Sequence, residues 1–414
     1  MNPSPAASLV PAGPLDDPQA ARRAGRDDLS LMLIDARNRS LRWLAAFEAA
    51  GHLRGGAGPA ASPLRWIGHA AWFQEYWIAR HVQRGRGELA EHGVPRLPGL
   101  EARTDAWFAP AGLQFDGQGA PDPSEQELRQ YLSDTLELTL DLLWATPNDD
   151  QGLHVFRLAL LHEDRLAERL AVAAQWLGFA PDDPLLGPIA PPLRSTRPAV
   201  WMPAGHMELG SPPGGLVPPN ERWVHAVQVP EVEIDAQVVN WGRFAEFVQD
   251  GGYDHPVWWT PEGWQWVQDT ARRAPRGVEQ WHGAVVLDRW GRLCRAAAGL
   301  PAVHVTWHEA HAWCRWAGRR LPTEVEWELA ATTAATRGFV WGDVHEWMLG
   351  SARPYPGGQV RPVSGFAPYR ADGGQRVLRG SSSWTVRRVA HVRSRRFVDG
   401  LRDDLFCGFR SCAL

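Results

Sequence analysis

The chain has 414 residues, 43 of them basic and 47 acidic, for a formal charge of −4. Every basic residue is Arg, which excludes Schiff-base chemistry on a lysine. The near-neutral balance without a basic stripe argues against nucleic acid as a partner. No apolar run approaches the ~20 residues that span a bilayer, and the first residues lack a signal-peptide pattern. We therefore expect a cytoplasmic enzyme or binding protein that works on small molecules.

The numbers of cysteine and tryptophan residues further narrow the class of protein to which the chain can belong. Four cysteines are too few for a disulfide framework in a chain of this length, which favours a reducing compartment. The 23 Trp far outnumber the 5 Tyr. Most of these indoles should be core residues, but such a surplus also suits a pocket for a quaternary ammonium group.

The first half of the chain predicts a helical bundle. Residues 1–26 are rich in Pro and Ala without periodicity, and we expect a mobile tail there. Residues 27–180 contain four amphipathic segments, which begin near Asp27, Ser62, Asp122 and Gln151. In the first segment, Leu31, Ile34, Leu41 and Leu44 recur with a helical period, and we expect them to face the core. In the second segment, His69 lies on the same stripe as Trp66 and Phe73.

The second half of the chain has a different sequence pattern. Residues 181–200 contain six prolines and predict an extended linker. In residues 201–414, short β-like runs such as "HAVQVPEVEI", "GAVVLD" and "AVHVTW" alternate with Gly, Pro and Trp. Two helical segments, "NWGRFAEFVQDGG" and "WHEAHAWCRWAG", also stand out. This pattern predicts an irregular α+β domain that is held together by aromatic packing.

Several runs in this half resemble the formylglycine-generating-enzyme-like domain, a variant of the C-type-lectin fold. The most specific are "GRRLPTEVEWELAA" and the terminal "GFR". In the first half, "SPLRWIGHAAWFQEYWIARH" and "LALLHEDRLAERL" resemble the DinB-like helical domain of the ergothioneine-type non-haem iron sulfoxide synthases. Within that family, "LALLHED" and "LRGSSS" look most like the selenoneine synthases. The resemblance covers nearly everything after residue 26.

The resemblance implies a mononuclear Fe(II) held by three bundle histidines, one in a Gly-His pair and two in a His-Glu-x-x-His-x-Glu helix. In this chain the first matches His69 and the second matches His162, but the third position is Leu166. His154 lies two turns from His162, about 12 Å at 1.5 Å per residue, so it cannot substitute. Three arrangements remain open: a third ligand from another segment, two histidines completed by waters and the substrate imidazole, or a weakened metal site. A lone core histidine is the alternative interpretation of His69.

The same resemblance implies that the second domain forms the substrate walls. Hercynine, a histidine betaine, would need aromatic faces for its trimethylammonium group and a donor for its carboxylate. The run "RSRRFVDGLRDDLFCGFR" aligns with the family's substrate-binding stretch. His345 stands where the family usually has Trp, and Gly358 where it has an aromatic, changes that could widen the pocket for a sugar or reflect drift in a loop. The substrate-binding candidates are Arg165, His345, Ser383, Trp384, Arg393, Arg396, Phe397 and Asp399.

Three functions follow from these expectations. The first is O2-dependent formation of a carbon–selenium bond between hercynine and a selenosugar, with Tyr355 as the candidate proton or electron donor. The second is a sulfoxide synthase that uses cysteine or γ-glutamylcysteine. The third is a lectin-like binding protein with a decayed metal site, which Leu166 would favour. Glu163 and Asp164 could orient an imidazole or lie on a solvated helix face. We expect a monomer or a weak dimer.

Overall fold

The computed structural model describes residues 13–55, 62–110, 122–358 and 369–414. Among these residues, no helix combines the length and the apolar character that a membrane crossing requires. The described chain has a helical first half and a second half of mixed helices and small sheets.

The described part of the first half contains six α-helices, and the four long ones pack against one another. Ser62 caps the helix that carries His69 by accepting a hydrogen bond from the Arg65 amide, and Pro63 occupies its first position. Ser124 and Glu127 form a capping box at the start of the next long helix. The last long helix ends at Gly178, which adopts a left-handed φ of 80°. The helices are α1 (Pro18–Arg23), α2 (Arg26–Ala49), α3 (Pro63–Gln74), α4 (Thr104–Phe108), α5 (Glu125–Trp144) and α6 (His154–Leu177).

Two features of this half differ from the sequence expectations. The expected tail contains α1, where Arg22 pairs with buried Glu221 at 2.7 Å; residues 1–12 lie outside the described residues. The stripe expected on α2 is partly wrong, because Leu31 is 52% exposed and Ile34 is 37% exposed. The buried face of α2 instead includes Arg37, whose charge is matched by buried Glu163. The assignment of these helices as a DinB-like bundle remains a prediction.

Between Leu177 and Val200 the described chain has no regular helix or strand. The second half contains four α-helices: α7 (Trp241–Gln249), α8 (Pro261–Thr270), α9 (Trp307–Trp316) and α10 (Glu324–Thr333). Its strands are β1 (Val200–Met202), β2 (Gly205–Leu209), β3 (His225–Val229), β4 (Val232–Ile234), β5 (Val278–Gln280), β6 (Val286–Arg289), β7 (Arg292–Arg295), β8 (His345–Ser351), β9 (Gln375–Arg379), β10 (Arg395–Asp399) and β11 (Cys407–Gly408).

The largest described sheet has the order β10-β9-β8-β11, with β11 parallel to β8 and the other neighbours antiparallel. Two two-stranded ladders, β1-β4 and β2-β3, and the meander β5-β6-β7 complete the second half. The run "AVHVTW" is not a strand, because His304 has a φ of +63° and breaks the extended path. All four cysteines are free thiols.

The two halves share one hydrophobic core. A single cluster of buried residues includes Trp43 and Leu170 from the helices and Trp290, Trp384 and Phe406 from the second half. Trp384 lies at the centre of the junction between the two halves. Its ring centroid is 6.0 Å from that of Trp43 in the first half and 5.1 Å from that of Trp290 in the second half. Aromatic packing therefore fixes how the second half sits on α2 and α6.

Candidate functional site

His69 lies on α3, and a hydrogen bond to a residue outside this helix fixes the orientation of its imidazole. Its Nδ1 donates to the Phe108 carbonyl at 2.7 Å, which leaves Nε2 as the nitrogen with a free lone pair. The preceding Gly68 allows this approach, because a Cβ there would lie 2.1 Å from the Phe108 ring. The Gly-His pair is thus explained by the close passage of the segment that orients the imidazole.

His162 on α6 meets His69 across the helix interface. The two ring centroids are 5.2 Å apart, and the His162 ring also stacks on Phe73 at 4.0 Å. Burial lowers the pKa of both imidazoles below the ordinary value, and each also lies near Arg169. Among the described residues, neither ring nitrogen of His162 has a hydrogen-bond partner. The structure thus brings together two neutral imidazoles from separate helices, as the sequence predicted.

The residue chemistry around this pair supplies two metal donors. Leu166 follows His162 by one helical turn and is 8% exposed, so a hydrocarbon side chain fills the place of the third histidine. No group of three or more His, Cys, Asp or Glu side chains with metal-binding spacing is found in the described ranges. The pair fits a metal whose remaining positions are open, since neutral imidazole is a common ligand for divalent metals.

Aromatic stacking and a chain of hydrogen bonds hold the His69 ring in place. The Trp72 ring stacks on His69 at 5.4 Å, and its Nε1 donates to Asp105 at 2.6 Å. Asp105 is itself paired with Arg80 in two hydrogen bonds of 2.6 and 2.9 Å. This relay from Arg80 through Asp105 to Trp72 restricts the orientation of the imidazole plane.

Glu163 and Asp164, next to His162, serve neither of the roles weighed from the sequence. Both are 2% exposed. Glu163 accepts hydrogen bonds from Arg37 at 2.8 and 3.2 Å, from Ser40 and from Gln74. Asp164 accepts from Arg388 of the second half at 2.6 and 2.8 Å. They are buried structural carboxylates rather than a solvated face or partners of the imidazoles.

Glu168 joins the two halves of the chain beside the histidine pair. One carboxylate oxygen accepts from His345 Nε2 at 2.7 Å and from the Ser382 hydroxyl at 2.6 Å, and the other accepts from Arg396 at 2.7 Å. Although burial raises the pKa of Glu168, the Arg396 guanidinium and His345 hold it well below its usual range. This ionised carboxylate anchors β8, β10 and the segment after β9 to α6.

Comparison with known proteins places the chain in a family. Residues 189–346 match the model of the sulfatase-modifying factor enzyme 1-like domain. The hercynine oxygenase of Mycolicibacterium smegmatis is 30% identical over 446 residues, covering 94% of this chain and 98% of that protein. The chain belongs to the hercynine oxygenase family, the ergothioneine-type sulfoxide synthases. It is therefore an enzyme of the oxidoreductase class.

Other relatives match more narrowly or with lower identity. The hercynine oxygenase of Mycobacterium tuberculosis is 29% identical over 93% of this chain and 98% of its own length. The formylglycine-generating enzyme of Streptomyces coelicolor is 35% identical over 38% of this chain and 54% of its own length. PvdO from Pseudomonas aeruginosa, a solved structure, is 18% identical over 52% of this chain and 93% of that chain, with a TM-score of 0.33. The family-model match confirms the formylglycine-generating-enzyme-like domain in the second half.

In this hercynine oxygenase family member, β10 divides the predicted substrate residues between its two faces. Arg396 points towards α6 and pairs with Glu168 at 2.7 Å. The alternation of a strand then sends Arg395 and Phe397 to the opposite face. There Phe397 packs in the separate core cluster that contains Trp327. Asp399 is exposed at the strand end, 3.5 Å from Arg370. Phe397 and Asp399 are thus not brought to the histidine pair, whereas Arg396 contacts Glu168 on the helix that carries His162.

The remaining predicted residues of this family member also spread over several places. Trp384 is buried in the aromatic junction, and neighbouring Ser383 lines a cavity with Trp241 and Trp290 at the same junction. Arg393 lies 3.7 Å from Glu328 within the second half. Arg165 follows His162 by three residues on α6 and lines a cavity with Arg22 and Arg388.

Tyr355 lies in an ionic network of the second half. Its hydroxyl donates to Glu324 at 3.2 Å and accepts from Arg379 at 3.3 Å, while the Arg395 guanidinium sits 3.7 Å from its ring centroid. Burial raises the pKa of Tyr355 above its usual value, with Glu324 adding to the effect. Among the described residues, Tyr355 contacts neither His69 nor His162.

The sequence interpretation missed two contributors to the site. Glu168 was not among the predicted site residues, yet it is the carboxylate on which His345, Ser382 and Arg396 converge. Phe108 acts through its backbone carbonyl, so its side-chain type carries no signal of that role. For Glu168 a signal existed, since it follows His162 by six residues and faces away from the bundle stripe.

Proposed function

We propose that this chain oxidises hercynine with O2 and joins a sulfur donor to the imidazole C2, with an iron ion held by His69 and His162. The observation that carries the proposal is the pair of half-buried imidazoles on α3 and α6, whose ring centroids lie 5.2 Å apart. The relatives named hercynine oxygenase supply the substrate and the reaction class.

Two protein ligands leave more open positions than a three-histidine site would. We infer that the substrate imidazole and waters complete the coordination sphere, because Leu166 offers no donor. Bound there, iron would supply the activation of O2. His69 and His162 would donate neutral nitrogens, and their lowered pKa values keep protons from competing at neutral pH.

The neighbouring residues orient the ligands and exclude water. The Phe108 carbonyl fixes the proton of His69 on Nδ1 at 2.7 Å, so that Nε2 faces the shared space. Phe73 covers one face of His162 at 4.0 Å, and Leu166 covers the helix surface beyond it. These apolar walls limit the access of bulk water to the imidazoles.

A thiol donor fits the described structure better than a selenosugar. The widening expected from His345 is not present, because that side chain is 2% exposed and is hydrogen bonded to Glu168 at 2.7 Å. Gly358 does not open space either, since a Cβ there would lie 2.7 Å from the Arg222 carbonyl oxygen. The selenosugar reaction remains the second candidate, on the sequence resemblance alone.

Metal analysis and turnover test the proposal together. Iron should load onto the wild-type chain and onto His154→Ala, a matched control that removes another half-buried histidine from α6. His69→Ala and His162→Ala should each lose most of the iron and the O2 consumption with hercynine. Assays with cysteine, γ-glutamylcysteine and a selenosugar identify the donor. Equal iron in the wild-type chain and in His69→Ala would overturn the metal site.

A third protein ligand can be tested separately. Outside the described residues, Asp116 is the one Asp, Glu, His or Cys that the sequence contains. If two histidines suffice, Asp116→Asn should keep its iron and its turnover. Loss of iron in Asp116→Asn, with the fold intact by circular dichroism, would replace the two-histidine arrangement by one with a carboxylate.

A further inference from the structure

A row of aromatic rings leads from the histidine pair to a half-buried side chain of the first half. The Trp72 ring stacks on His69, with the ring centroids 5.4 Å apart and an angle of 20° between the planes. The Tyr76 ring stacks in turn on Trp72, with the centroids 4.6 Å apart and again an angle of 20°. Trp72 is buried, whereas Tyr76 is only half-buried, so solvent can reach it. Three stacked rings therefore connect a candidate metal ligand with the surface.

The spacing of the three residues explains why their rings stack. Trp72 follows His69 by three residues and Tyr76 follows Trp72 by four, so the rings lie on one side of the helical path. After α3 this path continues into one π-helical turn, Glu75–Ala79, which carries Tyr76. Turns of this kind occur frequently at functional sites. The Arg96 guanidinium, 4.5 Å from the Tyr76 ring centroid, restrains the outer ring of the row through a cation–π contact.

Trp72 has a proton acceptor within hydrogen-bond distance. Its indole Nε1 donates to an Asp105 carboxylate oxygen at 2.6 Å, and Arg80 holds that carboxylate through two hydrogen bonds. Removal of one electron makes an indole N–H strongly acidic, and an acceptor at this distance can take the proton. The ring that stacks on His162 belongs to Phe73, and a benzene ring is far harder to oxidise than an indole. Loss of an electron beside the histidine pair is therefore favoured at Trp72.

We propose that Trp72 and Tyr76 form an electron-transfer path that protects the histidine pair when O2 is activated without a complete set of substrates. The inference rests on the proposed function and adds a protective reaction to it. An O2-derived oxidant at the histidine pair takes one electron from Trp72, and the Nε1 proton moves to Asp105. Tyr76 then gives one electron to Trp72, which recovers its proton from Asp105. The phenolic proton of Tyr76 passes to water, and a tyrosyl radical remains at the half-buried ring.

A thiol in solution completes the electron balance. It transfers a hydrogen atom to the Tyr76 radical, so the S–H bond breaks and the phenolic O–H bond forms again. Two thiyl radicals from two such transfers combine to one disulfide. For each electron that reduces the oxidant, one thiol loses its hydrogen and one proton is released to water. The proposed reaction uses a thiol donor, so a reductant of this class is present wherever the chain works.

The test follows radicals and oxidative damage in the full-length chain rather than turnover. The chain is loaded with Fe(II) without oxygen, its iron content is measured, and it is then exposed to O2 in the absence of hercynine and thiol. The path variants are Trp72→Phe, which keeps a ring but removes the indole, and Tyr76→Phe, which removes the phenol alone. The matched control is Tyr369→Phe, since Tyr369 is also half-buried but its ring contacts Phe397 in the second half.

We expect freeze-quenched paramagnetic resonance spectra of the wild-type chain to show a tyrosyl radical. This signal should be lost in Tyr76→Phe, retained in Tyr369→Phe and removed by added cysteine. Peptide mass spectrometry should find oxidised His69 and His162 several-fold more abundant in both path variants than in the wild-type chain or the control, for equal iron content.

Two results would overturn the path while leaving the proposed function intact. One is a wild-type chain that loads iron and consumes O2 without a tyrosyl signal, or with a signal that survives in Tyr76→Phe. The other is equal oxidation of His69 and His162 in the wild-type chain and in both path variants. A wild-type chain that loads no iron would overturn the proposed function, and the path with it.

Discussion

At the scale of single residues, Leu166 sets the metal chemistry open to this chain. It follows His162 by four residues, so its Cβ projects from the same face of α6 as the imidazole. The side chain is packed at 8% exposure in the core cluster that joins the two halves. A buried leucine at this position offers no donor to a metal ion.

We predict that Leu166→His raises the affinity of the chain for Fe(II) or Co(II) by at least about tenfold, close to 1.4 kcal/mol. A histidine at i+4 would bring a third nitrogen to the face shared by His69 and His162. Titration with Co(II), followed by its visible absorption, measures the change. Leu166→Met serves as the control, since it keeps an apolar side chain of similar volume and should bind metal as the wild-type chain does. An unchanged affinity in Leu166→His would show that the histidine pair does not face this position.

At the scale of elements, the capping-box glutamates of two helices in the second half have pKa values shifted in opposite directions. Glu309 caps α9 through Thr306, and Glu326 caps α10 through Thr323. Burial raises the pKa of Glu309 to about 7, although hydrogen bonds from Tyr253 and Thr306 oppose the change. Burial also acts on Glu326, but hydrogen bonds from Arg320 outweigh it and lower that pKa. The difference comes from the partner, a neutral phenol in one box and a guanidinium in the other.

We therefore predict opposite pH dependences for two matched variants. A carboxyl whose pKa is raised in the folded chain stabilises it fully below the unfolded value and loses this contribution as pH rises. The advantage of the wild-type chain over Glu309→Gln should thus fall by about 3 kcal/mol between pH 4.5 and 7. For Glu326→Gln the wild-type advantage should instead be present at neutral pH and decline as pH falls below 4.5. Urea unfolding measured from below pH 4.5 up to pH 7 checks both, and parallel trends in the two variants would contradict the assignment.

Local signals explain which elements the sequence predicts. Ser62 with Pro63 marks the start of α3 because both act within one helical turn, and the structure confirms that cap. The prediction of the buried stripe on α2 is partly wrong because Arg37 is buried against Glu163. That residue is 126 positions away in the sequence, so no local pattern reveals the contact. The expected strand in "AVHVTW" failed because His304 takes a left-handed φ of +63°.

The same limit applies to the candidate site. His69 and His162 lie on amphipathic stripes, so their meeting at 5.2 Å follows from helix packing that the sequence encodes. Phe397 and Arg396 are adjacent in the sequence but face opposite sides of β10, and the choice of side depends on the register Arg396–Leu378 with β9. Motif alignment names both residues without distinguishing between these two faces.

At the scale of the whole molecule, the two halves are bound through charge as well as aromatic packing. Glu168 on α6 accepts hydrogen bonds from His345, Ser382 and Arg396 of the second half. Asp164, also on α6, accepts hydrogen bonds from Arg388. The core cluster that contains Trp43 and Trp384 runs through the same junction. Since Glu168 and Asp164 lie on the same helix as His162, these contacts also fix the position of α6 relative to the second half.

We predict that Glu168→Ala destabilises the whole chain by about 3–5 kcal/mol, because it leaves the buried His345 and Ser382 and the half-buried Arg396 without their carboxylate. Glu91→Ala is the control: its pair with Arg86 at 3.2 Å is exposed, and its loss should cost less than about 1 kcal/mol. Urea unfolding, followed by tryptophan fluorescence for the junction and by circular dichroism for the helices, measures both. If the junction couples the two halves, the two signals should shift together in Glu168→Ala. Separate transitions in the wild-type chain would mean that the shared core does not make the halves one cooperative unit, and that the site is assembled by a weaker association than these contacts imply.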